Sequence, residues 1–352
     1  MIRNIDVNRL EPADASRTGI PADAPETLPG KIGQIAPGVH RIDTALGERT
    51  TSLYLFVGSE CALLFDTGID GTIPGSVLPY ARQIGCDLAS IDKVVVSHCD
   101  VDHCGGAQDV ADYLPGATLV AHTLDADAIE DFATLEQHRG RGFRERYGLK
   151  ENDDATNWRR SVVREAPVGQ RMVGGENVDL GDRKLTILHT PGHSRGQLSI
   201  HDPDNELVAV SDAVLGDAVP LASGAPAFPP TYRFVGEYLA TIELFQALHP
   251  ALFATAHYGV LADAEIGEFL DLSQKFVERL RGCILNAVSS ARHGMTLAEL
   301  LDDLNPGVGR WPGAGTAIAL TFPVIGHIEQ LVDEGVLRVR SGNGTARIET
   351  AW

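Results

Sequence analysis

Between residues 38 and 68 apolar positions come in short bursts closed by turn formers: GVHRID, SLYLFVG and CALLFDTG. Each is rich in β-branched or aromatic residues, and each predicts a strand. IPGSVLPYARQIG then carries apolar residues at helical spacing, while DKVVVS is a continuous apolar run of the kind buried inside a sheet. A second round follows, with strands at ATLVAH, KLTILHTPG, QLSIHDP, ELVAVSD and LFATAH, an acidic helix-like stretch near 124–138 and a helix near 236–248. The fold class expected is α/β, an αββα four-layer sandwich in which two sheets lie between helices and polar residues gather at one edge.

Two regions depart from this rhythm. The polar stretch at about 130–175 fits neither strand nor core helix, and its arginines and aromatics suit an insertion that is either a lid over a pocket or a solvated surface loop. From about 264 the chain turns helical, through EIGEFLDLSQKFVERLRGCILNAVSSA, TLAELLDDL and ALTFPVIGHIEQLVDEG, and closes on VLRVRSGNGTARIE, whose SGNG is a hairpin turn signal. Three helices and a hairpin form a winged-helix-like pattern. The domains expected are a lead-in over 1–30, a catalytic domain over 31–262 and a small C-terminal helical domain over 263–352.

Composition narrows the partners. Acidic residues outnumber basic ones, giving a formal net charge of −19, and such a field repels polyphosphate and anionic membranes. No nucleic acid or membrane partner is expected, and a homodimer stays open. No signal peptide, transit peptide or membrane-length apolar run is visible, so a cytoplasmic location is expected. Five cysteines, none in a CxxC pair, argue against both a disulfide framework and a cysteine-built zinc site. Cys99 and Cys104 read as packing residues.

The candidate chemistry sits at SHCDVDHCGG, residues 97–106, just past the DKVVVS strand. Imidazole and carboxylate donors in a tight loop can aim at one divalent ion. Further donors follow β-like runs: His193 in TPGHSRG, Asp212 in VAVSDAVLG and His257 in ATAHYG. This series resembles the metallo-β-lactamase superfamily, whose pattern is HxHxDH, then His, Asp and His. CALLFDTG resembles its early strand ending in Asp-Thr-Gly, where Asp66 would buttress the metal loop. The winged-helix-like tail resembles a module carried by some hydrolases related to glyoxalase II.

The resemblance covers about residues 32–260 and implies two ions. His98, Asp100 and His193 would bind one; Asp102, His103 and His257 the other; Asp212 would bridge them. The chain departs from the pattern at Asp100, where His is commoner. Two divalent ions, three carboxylates and a hydroxide then sum to formal neutrality rather than one positive charge, which weakens the attraction for anionic substrates. The extra oxygen donor also moves preference from zinc, the first expectation, towards iron or manganese.

The function implied is hydrolysis of a small-molecule lactone, ester or thioester by a metal-bridging hydroxide, with Asp102 orienting the nucleophile or passing its proton on. Tyr232 and Tyr258 are candidates to steady the oxyanion, and Arg159 or Arg160 to meet a substrate carboxylate. The alternatives are a non-haem iron oxidoreductase on the same fold and, further off, a nuclease.

Overall fold

The structure, a computed structural model, describes residues 33–151, 153–308, 315–342 and 345–352. The lead-in and the centre of the SGNG turn lie outside the described residues. The remaining order is the expected one: a seven-stranded sheet, a six-stranded sheet and helices on both outer faces.

In the first sheet the strands lie in chain order, from Gly33–Ala36 to Gln170–Met172. The first four pair antiparallel and the last four parallel. Alternation decides which residue faces which layer. On strand Arg49–Val57, Tyr54 and Phe56 face the second sheet, where they meet Leu185, Ile187 and Leu198. Leu53 and Leu55 face outward onto the helix residues Val77, Leu78 and Val110. The second sheet runs Val260–Ala262, Leu252–Thr255, Leu207–Ser211, Leu198–Asp202, Lys184–His189, Asn177–Asp179, with one parallel pair between Leu207–Ser211 and Leu252–Thr255.

The outer face of that second sheet packs on helix Val235–Leu248 and on Ala264–Ser290, where Phe276, Leu280, Ile284 and Val288 form the apolar stripe. The same hydrophobic cluster continues into Leu297–Val308 and Gly315–Asp333, then into the closing hairpin through Leu337 and Ile348. The C-terminal helical region thus shares its core with the sandwich.

The polar stretch at 130–175 holds the helices Phe132–His138, Gly142–Glu145 and Asp153–Ser161 and ends in the edge strand Gln170–Met172. Hydrophobic periodicity does not mark it because charged groups are buried among inward apolar residues such as Leu135 and Ala155. Glu136 and Arg144 are buried, and Glu151 exposes only 1% of its side chain. Arg159 forks onto Glu136 and Glu151, and Arg160 pairs with Glu165. Both arginines expected to greet a substrate carboxylate are therefore held by the protein's own acids.

Tyr232 is also spoken for. It is fully buried, stacks on Tyr238 at 4.5 Å and shares a 2.9 Å hydrogen bond with His327 of helix Gly315–Asp333. Burial pulls His327 down to about 3, from an ordinary value of 6.5. Because the unfolded imidazole takes a proton that the folded one refuses, stability falls as pH drops from about 6.5 towards 3; urea titrations across that window should show a shallower slope for His327→Gln. Tyr232→Phe should cost about 1–3 kcal/mol, since it strips a buried nitrogen of its partner. Wild-type stability in that variant would remove the bond from the fold's support.

Candidate metal centre

The donors expected from the sequence converge where strand ends meet. Asp66 follows strand Ala62–Phe65, His98 follows Ile91–Val95, Asp212 follows Leu207–Ser211, and His257 follows Leu252–Thr255. His193 lies on the turn after Lys184–His189. One side-chain atom from each member of His98/Asp100/His193, of Asp102/His103/His257 and of His98/His103/Asp212 falls within 4.8 Å of the others in its group. Asp212 lies centrally, with its oxygens 3.3 Å from His257 Nε2, 3.7 Å from His103 Nε2 and 4.0 Å from His193 Nε2.

These residues fit metal-ion binding. His103 Nε2 is fully buried yet has no hydrogen-bond partner among the described residues, and the buried Asp212 Oδ1 meets His257 Nε2 at 3.3 Å. Orphaned buried groups of this kind are rare in a folded protein and call for an explanation. A nitrogen lone pair and a carboxylate oxygen aimed at one point are what an imidazole- and carboxylate-binding ion requires.

The second contact of each ring fixes which nitrogen faces inward. His103 Nδ1 lies 2.8 Å from Asp66 Oδ2, His257 Nδ1 lies 2.9 Å from the Thr50 carbonyl, and His98 Nδ1 lies 2.9 Å from Ser97 Oγ. Asp66 also accepts from the Ser97 amide at 2.7 Å and from Ser211 Oγ at 3.0 Å. Both Asp66, at φ 72°, and Ser211, at φ 50°, hold left-handed backbone that side chains other than Gly seldom adopt. This local strain turns their side chains back into the cluster.

Electrostatics follow from crowding. Burial opposes charge on His103, but Asp66, Asp102 and Asp212 outweigh it and push the imidazole up to about 10. His193 moves the other way: burial, with Arg139 and His98 beside it, pulls it down to about 4. Burial disfavours the charged form of Asp212, yet His257 and His103 hold its carboxyl far below the usual range. Burial raises the Cys99 and Cys104 thiols well above theirs, which disfavours the thiolate form of each.

Two residues that the sequence did not single out complete the site. Asp125 accepts from the Cys99 amide, the Ser194 hydroxyl and the Gly196 amide, tying the His98 loop to the His193 turn. A Cβ on Gly196 would stand 2.6 Å from that carboxylate, so only glycine admits it. Arg139, from the helical insertion, forks onto both oxygens of Asp100 at 2.5 and 2.8 Å. No local pattern marks either residue, because each acts only after distant segments dock. Tyr258, beside His257, gives its hydroxyl to the carbonyls of Leu215 and Ala218.

The sandwich and its strand-end cluster define a class. Residues 46–257, more than half of the chain, match the model of the metallo-beta-lactamase superfamily, and the chain belongs to that superfamily. Among curated relatives, acyl-coenzyme A thioesterase MBLAC2 of Bos taurus is 27% identical over 206 residues, 54% of this chain and 66% of that protein. The Homo sapiens counterpart is 27% identical over 204 residues, with the same coverage. The chain thus spans slightly under two thirds of these relatives. A beta-lactamase domain protein from Burkholderia ambifaria has the same fold, with TM-score 0.72, 18% identity, and coverage of 93% of this chain and 97% of that one. A metallo-beta-lactamase family protein from Thermus thermophilus follows at TM-score 0.68 and 18% identity, covering 90% of this chain and all of that one. Both overlaps run beyond residue 257, so the C-terminal helices belong to the shared architecture.

Asp66→Ala should weaken divalent-metal binding about 10–100-fold, the usual cost of removing a ligand's outer partner. Competition against a chromogenic chelator would show it, and unchanged affinity would take Asp66 out of the site's support. Asp212→Ala should lose at least one ion per chain by elemental analysis.

Proposed function

We propose that this protein is a dinuclear metal-dependent hydrolase acting on an acyl thioester, with lactones and other esters as chemically neighbouring substrates. The observation that carries the reading is the convergence of seven imidazole and carboxylate side chains, among them the buried, unpartnered Nε2 of His103. The choice of thioester draws on the relatives named as acyl-coenzyme A thioesterases.

His98, Asp100 and His193 would hold one ion, Asp102, His103 and His257 the other, and Asp212 would stand between them. Bound divalent ions supply Lewis acidity and an activated water. Asp102, whose Oδ2 accepts a 3.3 Å hydrogen bond from Thr51 and lies 3.7 Å from His257 Nε2, is the group that would orient the attacking water and pass its proton to the departing thiolate. His103 and His257, locked by Asp66 and Thr50, keep their inward nitrogens in place.

Beside His257 opens a cavity of about 320 Å³, walled by Pro220, Leu221, Leu261, Phe269 and Leu272 with Glu265 and Glu268 at its margin. Its apolar wall suits an aliphatic acyl chain, and Arg41 together with the two carboxylates leaves its lining with a net negative charge that disfavours an anionic tail. Neutral straight-chain acyl groups are the preferred substrates.

Purified protein should carry two zinc or manganese ions per chain and hydrolyse acyl-coenzyme A thioesters. Two iron ions with no thioester turnover would overturn the reading in favour of oxygen chemistry. Leu272→Asp should raise KM for a medium-chain thioester about tenfold, the worth of roughly two buried methylenes, while sparing an acetyl thioester. An equal effect on both would place the chain elsewhere.

A further inference from the structure

The departure at Asp100 has its counterpart 39 residues away. Arg139 Nε donates to Asp100 Oδ1 at 2.5 Å and Nη2 to Oδ2 at 2.8 Å, the two-pronged match of guanidinium to carboxylate. The same guanidinium donates through Nη1 to the His193 carbonyl at 2.8 Å, so one cation ties the loop of His98 and Asp100 to the turn of His193. Asp100 Oδ2 lies 2.9 Å from His193 Nε2 and 3.5 Å from His98 Nε2, and Arg139 Nη2 also lies 2.9 Å from His193 Nε2, so the guanidinium reaches the edge of the donor cluster.

Arg139 is itself held from outside. Only 5% of its side chain is exposed, and its guanidinium lies 4.4 Å from the ring centre of Phe322 on helix Gly315–Asp333. Phe322 also meets Arg144 at 4.8 Å and Phe143 at 4.9 Å, and Arg144 donates to the neighbouring Thr321. A continuous path of contacts runs from the C-terminal helical region to Asp100.

We propose that Arg139 is a positioning residue for the metal centre: with Asp100 it forms an electroneutral ligand unit, doing with a charge pair what an uncharged imidazole would do alone, and Phe322 clamps it. This inference rests on the metal-centre reading above. The charge count changes with it. Arg139 cancels the third carboxylate, so the loaded cluster returns to one positive charge and keeps its attraction for an oxyanion. A lysine would not substitute, because a point charge cannot engage both oxygens and the His193 carbonyl together.

The test is metal release from the purified full chain to a chromogenic chelator, with ions counted by elemental analysis and folding checked by thermal melting. Wild type should hold two ions per chain. Arg139→Met should weaken one of them about 10–100-fold and leave the other unchanged; Arg139→Lys should fall between, and Phe322→Leu should weaken the same ion to a smaller degree. The decisive variant is Asp100→His combined with Arg139→Met, which should restore two tight ions because an imidazole needs no counter-charge. Arg139→Met with wild-type affinity at both ions would overturn the proposal. So would a wild type with one ion that gains a second in Arg139→Met, which would mean that the guanidinium occupies a metal's place. A wild type that binds no divalent ion would instead overturn the metal-centre reading, and the proposal with it.

Discussion

Four carboxylates, those of Asp66, Asp100, Asp102 and Asp212, are packed into one small volume at the edge of two sheets. Burying like charges together is unfavourable unless each meets a compensating group, and most of the local architecture reads as that compensation. Asp66 takes a backbone amide, a hydroxyl and the His103 ring. Asp100 takes Arg139, and Asp212 lies among three imidazoles. The left-handed turns at Asp66 and Ser211, the serine contacts beneath His98 and the stacking of Phe322 on Arg139 all serve the same electrostatic end.

Legibility from sequence followed the range over which each signal acts. Strands such as Arg49–Val57 were readable because alternate residues face two different apolar layers, and the candidate donors stood out because His98, His193, Asp212 and His257 each follow a strand-like run. Arg139 and Asp125 were not. Each acquires its role by reaching another segment, and an arginine in a polar stretch looks the same whether it faces water or a buried carboxylate. The insertion was hidden for a related reason: charged residues, Glu136, Arg144 and Glu151, are buried among its apolar ones and interrupt the hydrophobic period.

The tyrosines teach the converse. Tyr232 and Tyr258 stood in suggestive places, beside a metal-site strand end and beside His257. Their hydroxyls are engaged with His327 and with two backbone carbonyls, and what proximity in sequence left out was the nearest partner in space. Conversely, Phe322 lies about 65 residues beyond the last expected ligand, yet its ring covers the guanidinium that grips Asp100.

The division of the cluster between the two sheets also bears on how the protein comes into being. Asp66, His98, Asp100, Asp102 and His103 come from the first sheet and its loops, while His193, Asp212 and His257 come from the second. On a ribosome the first group emerges long before the second, so the complete donor set exists only after about three quarters of the chain has been made and the two sheets have closed on each other. An ion that needs donors from both halves therefore recognises the closed sandwich alone, and by mass action it draws the population towards that state. An ion held by donors of both sheets would act as a clasp between the two layers.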